Sequence, residues 1–201
     1  MSRPFLALCS GVMADFFQIS KAPRGALAIA AAASAALLAG AHAFERFGGL
    51  APCALCLDQR EAHWAGLGVA LVGLALGIFF KARRVTAAAA GALALVYLVS
   101  AGLAFYHTGV EHKFWPGPAT CSGAGPAVAD PAALESVLNG TAPVVSCTQA
   151  AWRLFGVSMA GYNLLVSTAL FALCALAAAY AFSDARDAAR PRARAEREAA
   201  S

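Results

Sequence analysis

Four long apolar runs, separated by shorter polar stretches, set the plan of this chain. They cover about residues 25–44, 62–80, 85–106 and 160–182. Each is close to the ~20 residues that a helix needs to cross the hydrocarbon core of a bilayer. No water reaches that core, so every backbone N–H and C=O must pair within its own segment, and each run is predicted to be a helix. The second run carries Gly66, Gly68, Gly73 and Gly77, small residues that let membrane helices approach one another closely. The predicted fold class is an all-α membrane protein, a four-helix transmembrane bundle.

The polar stretches between the runs set an orientation. Lys21 and Arg24 precede the first run, Lys81, Arg83 and Arg84 join the second to the third, and Arg186, Arg190, Arg192, Arg194 and Arg197 follow the fourth. The positive-inside rule puts these three regions in the cytoplasm, with both termini. Residues 1–24 then read as a cytoplasmic leader, since Asp15 interrupts what would be the apolar part of a signal peptide. Residues 25–182 form the transmembrane domain, and 183–201 a frayed cytoplasmic tail.

Two connections remain for the outer side, a short one over residues 45–61 and a long one over 107–159. In the long loop, "DPAALESVLNG" predicts a short surface helix, with Asp130 as N-cap, Pro131 in the first turn and Gly140 just past the end. Its Leu134, Val137 and Leu138 fall on one face.

Composition agrees with lipid as the solvent. The 201 residues are 60% hydrophobic and 13% charged, against about 45–50% and about 25% in soluble domains. The net charge of +4 lies beside the apolar runs, and no basic patch is interleaved with aromatics. A nucleic-acid partner is therefore not expected; membrane lipid is.

Chemistry enters with the cysteines. "APCALCLDQR" places Cys53 and Cys56 three apart in the first outer connection, and Cys121 and Cys147 lie in the second. All four fall on the same side. Cys9 and Cys174 fall in the leader and the fourth run, where packing as small hydrophobes is the simplest role. Leu57 after Cys56 excludes c-type haem attachment, which needs His there.

Zinc bound by four thiolates is one reading, although structural zinc sites usually present two tight pairs. Static disulfides, such as a Cys121–Cys147 staple, are another. A Cys53–Cys56 bridge closes too small a ring to add much stability, and it suits redox exchange better. Cys56 stands just before the second run, where a helix N-terminus favours a thiolate, and Arg60 adds a positive charge one turn on. Two cysteine pairs on one side of a membrane make a relay by thiol–disulfide exchange. A lipid-soluble quinone is the natural acceptor, with Arg60 polarising a carbonyl.

"PCALCLDQR", "FYHTGVEHKFWPGPATC" and "CTQAAWRLFGVSMAGYN" together resemble the disulfide bond formation protein B (DsbB) family, from about residue 25 to 182. The resemblance implies a bacterial inner-membrane thiol oxidoreductase. Such an enzyme reoxidises a periplasmic DsbA-like thiol oxidase and passes the electrons to the quinone pool, ubiquinone or menaquinone. It implies catalytic roles for Cys53 and Cys56 as the membrane-proximal pair, with Cys56 beside the quinone, and for Cys121 and Cys147 as the outer pair. Cys121 would form the mixed disulfide with DsbA. Arg60 and His107 would bind the quinone, no metal is implied, and the cysteines would face the periplasm. Some members carry Glu where Gln59 stands.

The other polar residues receive plainer readings. His63 and Trp64 start the second run, where Trp64 is expected as an interfacial anchor, and Trp115 and Trp152 are expected to do the same for the outer loop. Glu111 and His112 are expected to be solvated loop residues, and Tyr162 and Asn163 carry no assigned chemistry.

Overall fold

The computed structural model describes residues 22–118, 121 and 146–199, with side chains through residue 186. Among these residues, four helices are long and apolar enough to cross a membrane. They are α1 (Pro23–Gly48), α2 (Ala54–Phe79), α3 (Arg83–Glu111) and α4 (Met159–Ala199), joined before α4 by a short hairpin of β1 (Arg153–Leu154) and β2 (Val157–Ser158). The predicted surface helix around Asp130 to Gly140 lies outside the described residues.

Each helix runs past its apolar core, and local chemistry explains where it stops. Pro23 opens α1 in the first turn, where its missing N–H costs nothing, and Gly49 follows its end with φ +64°. Cys53 caps α2: its sulfur accepts the Cys56 N–H at 3.3 Å. The helix therefore starts at Ala54 and the first connection shrinks to residues 49–53. Helix α3 continues five residues beyond the apolar run to Glu111, and Lys113 with φ +61° turns the chain away. Ser158 caps α4 by accepting the Gly161 N–H at 3.1 Å. The tail expected to fray instead continues α4 to Ala199.

The hairpin was not expected. Arg153 pairs with Ser158 and Leu154 with Val157. The two turn residues, Phe155 and Gly156, both have positive φ (49° and 81°), the backbone of a tight hairpin turn that twists with its strands. The Tyr162 hydroxyl donates to the Leu154 carbonyl at 3.1 Å, so the first turn of α4 holds the hairpin.

The chain divides into two compact units, each with segments of all four helices. In one (the described residues up to Ala33, Gly66–Leu95 and from Leu170) close approach is the theme. A Cβ at Gly73 would stand 2.5 Å from Ala89 Cβ and 2.7 Å from Leu27 Cδ2, and one at Gly77 would overlap Thr86 Cγ2. The Arg24 guanidinium donates to the Gly77 carbonyl at 2.6 Å. Arg83 pairs with Asp184 at 2.6 Å, and Cys174 is fully buried.

The other unit, Ser34–Ala65 with Val96–Ala169, is threaded by polar groups. Ser34, Gln59, His63, Ser100, His107, Asn163 and Ser167 are all buried in it. A buried polar group is costly unless it is paired, and these pair with one another.

Candidate functional site

The site is built around the N-terminus of α2. Because Cys53 is the cap and Cys56 lies in the first turn, their sulfurs meet at 2.7 Å as two unbonded thiols. Cys121 and Cys147 are joined by a disulfide. All four cysteines pack in one apolar cluster with Leu55, Val110 and Trp115. Gly117 lets the chain bend there, since a Cβ on it would press on Val110 and Cys121 at 3.1 and 3.3 Å. Trp115 lies in the space that a side chain at Gly109 would fill, stacks on Tyr106, and donates its indole N–H to the Tyr106 carbonyl at 2.9 Å. It thus packs as a wall of the cluster.

The decisive distance lies between the pairs. Cys53 Sγ, Cys147 Sγ and a ring nitrogen of His107 lie within 4.8 Å of one another. An S–S bond is about 2.0 Å long, so the Cys53 and Cys147 sulfurs are close neighbours that are not bonded. The two thiols also differ. The hydrogen bond with the Cys56 sulfur, then burial, pushes the Cys53 thiol well above the usual cysteine range.

On its other side, Cys56 opens onto a cavity of about 390 Å³. Its walls are largely apolar, from Leu37, Leu38, Phe44 and Leu50, and Gln59, Arg60, His63, His107 and Asn163 converge on it. Arg60 is anchored from α1: its guanidinium pairs with Glu45 at 2.5 Å and donates to the Ala41 carbonyl at 3.2 Å. His107 is held by its ring nitrogens. Gln59 Nε2 donates to Nδ1 at 2.8 Å, and Nε2 faces Cys53 Sγ at 3.7 Å.

The polar groups continue beyond the residues expected from sequence. Asn163 Nδ2 donates to Gln59 Oε1 at 2.6 Å, and Asn163 Oδ1 meets His63 Nε2 at 2.7 Å. His63 Nδ1 then meets Ser34 Oγ at 3.1 Å, which contacts the Tyr97 hydroxyl at 2.9 Å. His63 and Asn163 are therefore buried network members. Glu111, expected in solvent, is buried at the end of α3. Its spacing of four from His107 was the available signal, since that spacing puts both on one helical face.

A dithiol CxxC pair and a disulfide, packed together by apolar helices, define a membrane protein built around sulfur chemistry. A family model described as Disulfide bond formation protein DsbB matches residues 23–177. A Disulfide bond formation protein B of Aromatoleum aromaticum is 32% identical over 138 residues, 64% of this chain and 77% of that one. No solved structure matches. The chain belongs to the DsbB family and, with it, to the proteins of disulfide bond formation.

Proposed function

We propose that this protein reoxidises a DsbA-like periplasmic thiol oxidase and passes the electrons to a membrane quinone. The observation that supports this most directly is the convergence of Cys53 Sγ and Cys147 Sγ within 4.8 Å, in one cluster with Cys56 and Cys121. A thiolate of the reduced partner attacks the Cys121–Cys147 bond at Cys121, and release of the oxidised partner leaves the loop dithiol. Cys147 then attacks Cys53 of an oxidised Cys53–Cys56 pair and Cys56 departs. Cys121 next attacks Cys147 and frees Cys53. The loop disulfide is restored and Cys53–Cys56 is left as the dithiol.

The donor set fits a quinone. The cavity is apolar enough for a ring and the start of an isoprenoid tail, and its polar groups gather on the wall beside Cys56. Arg60 and His107 would hold the carbonyl oxygens, and the Cys56 sulfur would face the ring. A bound quinone supplies a two-electron, two-proton acceptor. The distribution of Lys and Arg supports a periplasmic position for the four cysteines and an inner-membrane location.

The test follows reduction of a soluble quinone analogue by purified protein with reduced DsbA, for the wild type, Cys56→Ser and Cys121→Ser. Turnover by the wild type alone is expected. Absence of turnover together with zinc bound in stoichiometric amount would overturn the proposal and favour a static metal site.

A further inference from the structure

Among the buried polar groups of the cavity wall, one hydrogen-bond donor has no acceptor. The Leu55 carbonyl fixes how the others are spent, because a carbonyl only accepts. The Gln59 side chain gives it a hydrogen bond at 3.1 Å, so the end of the amide turned there is Nε2. Nε2 spends its second hydrogen on His107 Nδ1 at 2.8 Å. Gln59 Oε1 therefore accepts from Asn163 Nδ2 at 2.6 Å. Asn163 Oδ1 in turn accepts from His63 Nε2 at 2.7 Å and from the Ser167 hydroxyl at 3.1 Å.

Gln59, His63, His107 and Asn163 are the buried polar side chains of that wall among the described residues. Both amide hydrogens of Gln59 are taken, and the N–H of His63 goes to Asn163. His107 accepts at Nδ1, so its proton is on Nε2. That nitrogen lies 3.7 Å from Cys53 Sγ and 3.9 Å from Glu111 Oε1, and the ring has the Cys147 backbone as a further partner. Asn163 differs. Its Nδ2 carries two hydrogens, and only the one on Gln59 has a partner among the described residues. The residue is 9% exposed and lies on the stripe of α4 that lines the cavity, with Met159, Ala160 and Val166. An amide hydrogen held against an apolar space favours a ligand that can accept it.

We infer that Asn163 Nδ2 donates to a carbonyl oxygen of the bound quinone. The inference rests on the quinone reading above and refines its donor set. Arg60 has hydrogens for the other carbonyl, since a guanidinium carries more N–H groups than the two given to Glu45 and the Ala41 carbonyl. His107 adds its N–H only by drawing it away from Cys53 and the Cys147 backbone. Asn163 gives its second hydrogen with every present bond kept. A neutral donor at that oxygen also strengthens as electron density gathers there on reduction.

One test needs no variant. Asn139 and Asn163 are the two asparagines of the chain, so ¹⁵N-asparagine labelling leaves two side-chain amides to observe. In full-length, quinone-depleted protein in detergent, a soluble ubiquinone analogue should shift one Nδ2 hydrogen of Asn163 and leave the Gln59-bonded one in place. An Asn163 amide unmoved in the saturated complex overturns the inference.

A second test reads the ligand, with ¹³C at one carbonyl or the other and infrared difference spectra for each stretch. Asn163→Asp isolates the spare hydrogen. Protonated, the acid keeps a carbonyl for His63 and Ser167 and an O–H for Gln59, with none left for the ligand. It should return one labelled band to its unbonded position, leave the other, and weaken binding by about 3- to 10-fold, the contribution of one neutral hydrogen bond. Arg60→Ala should move the other band. Both bands unmoved in Asn163→Asp, or both displaced together as in a loosened wall, contradict the assignment. Trp152 also lines the cavity; if Trp152→Phe releases the band and Asn163→Asp does not, the indole is the donor and the inference fails. If the wild type binds no analogue, the quinone reading itself fails.

Discussion

Gln59 and His107 are joined side chain to side chain, amide nitrogen to Nδ1, across a 2.8 Å hydrogen bond between α2 and α3. An amide nitrogen can only donate, so the contact fixes which ring nitrogen is bare and which carries hydrogen. Gln59→Glu reverses the sense: a carboxylate accepts from Nδ1–H and leaves Nε2 bare toward Cys53. The expected result is a change of His107 tautomer, seen as exchanged imidazole ¹⁵N chemical shifts in the labelled protein. Unchanged shifts would show that Gln59 does not set the ring.

The CxxC thiols should alkylate unequally. Cys53 is held above the usual thiol range by the Cys56 sulfur and by burial, while Cys56 opens onto the cavity. Iodoacetamide should therefore label Cys56 first near neutral pH. A raised value means that the Cys53 thiolate keeps growing as pH climbs past the ordinary cysteine range of about 8.5, so its labelling should still be accelerating there. Peptide mapping of a pH series checks both points; equal labelling of the two at every pH contradicts them.

Glycine spacing in α2 makes a paired stability test. Gly73→Ala puts a methyl 2.5 Å from Ala89 Cβ, whereas Gly68 has nothing within 4 Å of its Cβ position. Gly73→Ala is expected to destabilise by about 1–3 kcal/mol, the usual cost of overpacking. Gly68→Ala is expected to be neutral or to gain up to about 1 kcal/mol, since alanine gives up less backbone freedom in a helix. Thermal unfolding of both variants in the same detergent compares them directly.

Arg60 lies on the cavity wall and is tied to Glu45. If it holds a quinone carbonyl, Arg60→Ala should raise the apparent KM for a quinone analogue by about tenfold or more, equivalent to ~1.4 kcal/mol of lost binding. Arg60→Lys should recover only part, because one ammonium cannot reach Glu45, the Ala41 carbonyl and a ligand together. An unchanged KM in Arg60→Ala removes the residue from the quinone site.

The four helices were legible because a bilayer needs apolar runs of one length, and this chain has four. The cysteine cluster was legible in part: orientation put Cys53, Cys56, Cys121 and Cys147 on one side, but only folding reveals that Cys53 faces Cys147. What escaped were polar residues at helix ends. His63, Glu111 and Asn163 stand where an apolar run fades into a connection, and composition there reads the same for a solvated residue as for a buried one. Their burial follows from α2 starting at Ala54 and α3 lasting to Glu111, boundaries set by a cysteine cap and a turn at Lys113. The hairpin over 153–158 escaped for a related reason, since two-residue strands leave no alternation to read.

The Cys121–Cys147 bond is 2% and 1% exposed at its two residues, and that burial makes it a lock rather than an open terminal. A freely diffusing small thiol has no means of prising the cluster apart, so it should drain the protein only slowly, whatever the driving force. In the relay proposed above, a protein partner would spend docking contacts to reach the sulfur at Cys121. In that relay the choice of electron donor would rest on who can gain entry, and a low-molecular-weight reductant in the surroundings would not short-circuit it.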